Sequence, residues 1–171
     1  RATGKRYADY LSEHLWRPLG NRDAAVWLDR EGGLARGATS LYALPMDWLR
    51  IGVMLLNNGN VNGTQLIPEH WIEQMKSPSS TNPRYGLLTW VSIDYAEERT
   101  LVAFKGFAAV SEEPFIAGDV FYFDGLGGQR VYVIPSRGLV IVRTGVLSRE
   151  WKDTRLPNIL VEGIDQLRAD S

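Results

Sequence analysis

Gly125-Leu126-Gly127-Gly128 follows Phe121-Tyr122-Phe123-Asp124 and precedes Gln129-Arg130-Val131-Tyr132-Val133-Ile134, so three glycines stand where one apolar run ends and the next begins. Glycine at such a place lets a backbone or a ligand come close, and a main-chain N–H beside the gap can donate a hydrogen bond to an anion. Glycine corners of this kind also serve only to turn the chain. Other residues with chemical potential are less organised. His14 and His70 have no metal-ligand partner four residues on, and Glu112-Glu113 beside Pro114 reads as a solvated loop pair. Gly32-Gly33 and the 125–128 corner match neither a dinucleotide fingerprint nor a Walker loop, so nucleotide binding has no support.

The corner needs strands to hold it. Val131-Tyr132-Val133-Ile134, then Pro135-Ser136-Arg137-Gly138, then Leu139-Val140-Ile141-Val142 is the pattern of a hairpin with a four-residue loop on a type I turn, Gly138 taking the left-handed position. Strands are expected at 85–92, 100–105, 119–125, 129–134 and 139–145, the last three as consecutive antiparallel neighbours. A helix opened by Pro157, with Leu160, Ile164 and Leu167 on one face, is expected to pack on their sheet. Before residue 80 the pattern is helical and loop-rich: a helix near 5–16, one opened by Pro45 and apolar around most of its circumference, and one opened by Pro68. Tyr7, Tyr10, Leu11, His14 and Leu15 form a helical stripe that reads as core packing. The fold class is α+β, an antiparallel sheet flanked by helices, with a helical region at 1–80 and the strands and last helix at 85–171.

The 171 residues are enough for a sizeable core, and 44% hydrophobic content excludes a disordered chain. A net charge of −1 gives no electrostatic reason to bind nucleic acid or an anionic membrane, and no apolar run reaches the length of a membrane span. Without cysteine there is no disulfide, thiolate nucleophile or zinc–cysteine site, which leaves periplasm and cytoplasm equally open.

In order along the chain, Thr3-Gly4 through Tyr7, Tyr10-Leu11, Leu15 and Pro18-Leu19-Gly20, then Trp27, Asp47-Trp48-Leu49, Leu55-Leu56-Asn57-Asn58-Gly59, Leu66-Ile67-Pro68 and Tyr85-Gly86, resembles the serine β-lactamase, penicillin-binding-protein and esterase superfamily, in its class C-like esterase and 6-aminohexanoate-dimer hydrolase branch. Phe121, Phe123, Gly125, Gly128, Gln129, Tyr132, Pro135 and Arg143 fall on that branch's version of the third motif, which replaces the Lys-Thr-Gly of the β-lactamases. Phe123 stands where many relatives carry Ala, His or Lys, and a phenyl ring moves no proton.

The resemblance implies a serine hydrolase that cleaves an amide or ester through an acyl-enzyme, with a Ser-x-x-Lys nucleophile, a Tyr-x-Asn or Tyr-x-Ser proton shuttle, and no metal or organic cofactor. No Ser-x-x-Lys occurs in these residues. Tyr10-Leu11-Ser12 matches the second motif by letter but lies in a helix that follows it in relatives. The expectation is therefore that 1–171 forms the C-terminal part of one domain and needs the preceding part as partner. By transfer, the Leu126 N–H is an oxyanion donor next to Gly125, while Phe123, Asp124, Trp90 and Tyr85 are substrate-side residues. Core packing is the competing account of Tyr85 and Trp90. A non-catalytic penicillin-recognising or peptidoglycan-binding module on the same fold is the alternative function.

Overall fold

The computed structural model describes residues 3–37, 39–92, 98–100, 108–110, 113–146, 148 and 150–170. It resolves into two compact units, Arg1–Ile72 and Glu73–Ser171. The first is helical with short hairpins: α1 (Tyr7–Leu11) running into a π-helical turn (Ser12–Trp16), β1 (Ala25–Val26) paired with β2 (Leu41–Tyr42), α2 (Pro45–Leu56), β3 (Asn60–Val61) paired with β4 (Thr64–Gln65), and then α3 (Glu69–Lys76) across the boundary.

Proline at the first helical position opens α2, where its missing N–H removes nothing. Burial of this helix is one-sided rather than all-round. Asp47, Ile51, Met54 and Leu55 share the covered stripe, while Met46 and Val53 lie on the opposite side and stay exposed, because the helix carries more apolar residues than one face accommodates. Trp16 is buried and donates its indole N–H to the Arg22 carbonyl. The expected core role of the first helix's tyrosines does not hold: Tyr7 and Tyr10 are exposed, and Tyr10 lies against the His14 ring with centroids 4.3 Å apart.

In the second unit, β5 (Trp90–Val91), β8 (Phe121–Gly125), β9 (Gln129–Ile134) and β10 (Leu139–Arg143) form an antiparallel sheet in the order β10-β9-β8-β5. A separate backbone pair joins β6 (Glu98–Thr100) to β7 (Ala108–Val110). Thr100 opens the strand expected at 100–105, whose remainder lies outside the described residues, as does Glu112. The β9–β10 hairpin is as expected: Leu139 pairs with Ile134, Pro135–Arg137 make a 3₁₀ turn, and Gly138 is left-handed at φ +61°.

Of the strand expected at 85–92 only the end forms, as β5; residues 85–89 make a turn instead. Tyr85 and Trp90 bridge each other, and the Gly86 N–H donates to the Thr89 carbonyl. Leu88 is left-handed, and any Cβ at Gly86 would sit 1.9 Å from the Met75 carbonyl oxygen, so a backbone contact with α3 sets the bend.

Directly opposed residues share a sheet face, so Trp90, Tyr122, Tyr132 and Ile141 form one row. That row belongs to the core formed with Ala117, Val120, Ile134 and Val161 of α4 (Arg155–Ala169). The α4 register differs from expectation: Pro157, Asn158 and Val161 are buried, whereas Leu160 and Leu167 remain exposed, because the Asn158 amide bonds the Pro114 carbonyl and the Ile116 N–H and turns that other stripe inward. Phe121, Val131 and Val133 are buried on the opposite face, with the Lys76 ammonium 5.7 Å above the Phe121 ring.

Arg137 in the β9–β10 turn donates two hydrogen bonds to Asp165 of α4, at 2.7 and 2.9 Å. The Arg137 hydrogen bond holds the Asp165 carboxyl below its ordinary range, with Arg137's charge adding to it against desolvation. A depressed folded-state pKa means that the pair's stabilisation is present above the unfolded value of about 3.9 and is lost as pH falls through the folded value. Asp165→Asn should therefore lower Tm slightly at neutral pH, with the difference from wild type vanishing in acid once the pH is below the depressed folded value. Thermal melts of both proteins across that range check it; a difference that persists unchanged in acid would show that the pair is not acting through charge.

Candidate active site

Strand β8 ends at Gly125, whose partner Gln129 begins β9, leaving a three-residue loop of Leu126, Gly127 and Gly128. Gly127 and Gly128 are both left-handed, at φ +82° and +77°, and a Cβ at Gly128 would meet the Arg143 guanidinium at 2.5 Å. Glycine is required there for both backbone conformation and close approach.

Two guanidinium groups occupy the acceptors of this corner. Arg130 Nη1 donates to the carbonyls of Gly125 at 3.0 Å and Gln129 at 2.9 Å. Arg143 Nη1 donates to those of Gly127 at 3.2 Å and Gly128 at 2.7 Å. In a trans peptide the C=O and the following N–H point in opposite directions, so the Leu126 and Gly128 N–H groups face away from the guanidinium that holds the preceding carbonyl. Leu126 lies beyond the last strand pair and is 67% exposed. The Gln129 side-chain amide clamps Gly145 by donating to its carbonyl and accepting from its N–H, tying the corner to the segment after β10.

Beneath the corner is a buried ion cluster. Arg130 contacts Asp124 at 2.5 Å and Asp153 at 2.8 Å, and all three side chains are nearly enclosed. Trp151 donates its indole N–H to Asp153 and lies under the Arg143 guanidinium, 4.1 Å from ring centre to charge. Burial works against the Arg130 charge, but attraction to Asp153 and Asp124 more than offsets it and holds the guanidinium above its ordinary value. Burial, reinforced by Asp153, pushes the Tyr132 phenol far up; a smaller rise at Tyr85 comes from burial and then the charge of Asp124. Among the described residues no group of three His, Cys, Asp or Glu side chains could hold a metal ion.

A family model for Beta-lactamase matches residues 1–149. The chain belongs to that family. It is 37% identical over 82 residues to the 6-aminohexanoate-dimer hydrolase of Paenarthrobacter ureafaciens, an alignment covering 47% of this chain and 20% of the relative. Its fold is similar to the "Putative 6-aminohexanoate-dimer hydrolase from Bacillus anthracis", with TM-score 0.70 and 23% identity over 98% of this chain and 40% of that one. It is also similar to the "putative beta-lactamase from Bacteroides dorei DSM 17855", with TM-score 0.64 and 15% identity over 96% of this chain and 53% of that one. The chain thus spans between a fifth and about half of the length of these relatives.

Within this Beta-lactamase-family chain, the residues singled out from sequence divide between two sheet faces. Phe123 alternates with Asp124 and lies with Gly125 on the face away from α4, where it is partly exposed. Asp124 is on the α4 face in the Arg130 cluster. Trp90 packs with the Tyr122 core row, and Tyr85 meets it edge-on at 4.9 Å. Leu126 occupies the turn between the faces. Arg130, Trp151 and Asp153 escaped the sequence reading, and Arg143 entered it only as a position of the third motif. The available signal was parity: Arg130 alternates with Tyr132 and Ile134, so it places a charge on the covered face of its strand.

Proposed function

We propose that this chain forms the oxyanion-side wall of a serine hydrolase that cleaves an ester or amide through an acyl-enzyme, with its Ser-x-x-Lys nucleophile and tyrosine proton shuttle supplied by residues outside these 171. One observation carries this reading: the carbonyls of Gly125, Gly127 and Gly128 are taken up by Arg130 and Arg143, and the trans peptide turns the Leu126 N–H away from the guanidinium on Gly125, so a main-chain donor is offered outward there. Family membership supports acyl transfer, and the Paenarthrobacter relative, named for hydrolysis of a 6-aminohexanoate dimer, supports an amide among the substrates.

In this mechanism the serine attacks the acyl carbon, whose carbonyl electron pair moves onto oxygen and is held by the Leu126 N–H and a second backbone donor. Collapse expels the alcohol or amine, protonated by the shuttle, and leaves the acyl-serine ester, which water then cleaves. Phe123, on the same face as Gly125, contributes apolar contact and no proton transfer. That property also suits a binding module that has lost turnover.

The test is incubation of the full-length protein with nitrophenyl esters and a linear amide dimer, following turnover and intact mass. The hydrolase reading expects a transient acyl mass on a serine together with steady product release. A stable adduct without turnover would support the binding module, and absence of any adduct or product would overturn the acyl-enzyme reading. The 171-residue chain alone is expected to be inactive.

A further inference from the structure

Four main-chain acceptors, two in the three-residue corner and two in the strand pair that closes it, are served by guanidinium groups, and Arg130 serves the peptide whose N–H belongs to Leu126. We infer that Arg130 is a positioning residue for catalysis: by gripping the Gly125 carbonyl, it fixes the rotation of the Gly125–Leu126 peptide and aims the Leu126 N–H at the developing oxyanion. This rests on the reading under Proposed function.

Three observations support it. The Gly125–Leu126 peptide lies beyond the last Cα pair of the hairpin, so the strand ladder alone does not hold both of its ends. Glycine at 125 gives the dihedral that precedes this peptide unusual freedom, which an oxyanion donor must not have, since misplacement by about 1 Å costs on the order of 10²-fold in rate. Arg130 is itself immobilised, with Asp153 on Nε and Asp124 on Nη1, and its side chain is 5% exposed. The buried aspartates thus orient a guanidinium, the guanidinium orients a carbonyl, and the carbonyl orients the N–H on its far side. Arg130 touches no reacting atom. Its guanidinium lies on the side of the peptide away from the oxyanion.

Such a role separates the transition state from the ground state. An ester carbonyl binds weakly to a donor whose full strength is felt only by the oxyanion, so loss of aim should lower kcat and leave KM nearly fixed. In the full-length protein, Arg130→Gln is expected to lower kcat per folded molecule about 10- to 100-fold with KM within about twofold. Affinity for a boronic acid that binds as a tetrahedral anion should fall in parallel with kcat. Arg137→Gln, which breaks the surface pair with Asp165 at the other end of the β9–β10 hairpin, serves as the stability control: Tm drops and both kinetic constants hold.

If Arg130→Gln does not yield folded protein, Arg130→Lys replaces it, because a single ammonium can pair with the aspartates without forking to the Gly125 and Gln129 carbonyls; the same loss of kcat and of boronate affinity is expected. Wild-type acylation with kcat and boronate affinity retained within about threefold in the folded Arg130 variant would overturn the inference while leaving the hydrolase standing. A wild-type protein that forms no acyl adduct would overturn both.

Discussion

Replacing Gly125 by valine in the full-length protein is expected to lower kcat per folded molecule about 10²–10³-fold while moving Tm by only a few degrees. The reason is local. A Cβ at Gly125 would lie 3.0 Å from the Gln129 Cβ, and Gln129 cannot retreat freely because its amide is bonded to Gly145 at both ends. The last pair of the hairpin must therefore splay, which shifts the Gly125 carbonyl off Arg130 and turns the Leu126 N–H. Little core is disturbed, since Gly125 is the strand's terminal residue and the buried row begins at Tyr122 and Tyr132. Leu126→Ala should behave oppositely, with kcat within about threefold of wild type, because a main-chain donor survives side-chain truncation. Rates normalised to folded fraction decide the matter. If Gly125→Val lowers stability and leaves the rate per folded molecule unchanged, the corner merely turns the chain.

Local chemistry made part of this architecture legible. The β8–β9–β10 meander follows from apolar runs broken by residues with one conformational use each, and Gly138 at φ +61° takes the role that Pro-Ser-Arg-Gly demands. Where tertiary contact decided, reading from sequence failed. Leu87-Leu88-Thr89-Trp90-Val91 looks like one strand, but the approach of the Met75 backbone to Gly86 and the burial of Thr89, which donates to the Met75 carbonyl, turn its first three residues and leave only Trp90–Val91 in the sheet. The apolar stripe through Leu160 and Leu167 was a reasonable core face for α4, yet Asn158 faces inward because its amide bonds the Pro114 carbonyl and the Ile116 N–H across more than forty residues. The site divides in the same way. Three glycines at a strand end are visible in one dimension, whereas the pairing of Arg130 with Asp153, separated by a hairpin and a loop, is a property of the fold.

Removal of Asp153 should be the most destabilising single change in this unit. Arg143 and Arg130 are direct partners across β9 and β10, so two like charges share one sheet face, an arrangement that is unfavourable unless each finds its own counterpart. Arg143 turns to the glycine carbonyls and the Trp151 ring, while Arg130 takes both aspartates. Asp153→Ala leaves the Arg130 Nε and the Trp151 indole N–H without their acceptor, and a buried guanidinium with one of its two carboxylates. Breaking a buried pair from one side costs about 3–5 kcal/mol, chiefly because the remaining charge stays desolvated. A drop of that size is expected in urea unfolding of the full-length protein, with Asp153→Asn losing less because both bonds share Oδ1, where the amide oxygen can still accept them. The double variant Arg130→Met/Asp153→Ala should lose less than the sum of the two single changes, because the Arg130–Asp153 attraction is removed by either change and can be lost only once. Strict additivity in that cycle, or a loss below about 1 kcal/mol for Asp153→Ala, would mean that solvent reaches the cluster and that Arg130 is not held rigidly enough to aim the peptide at the head of β8 and β9's turn.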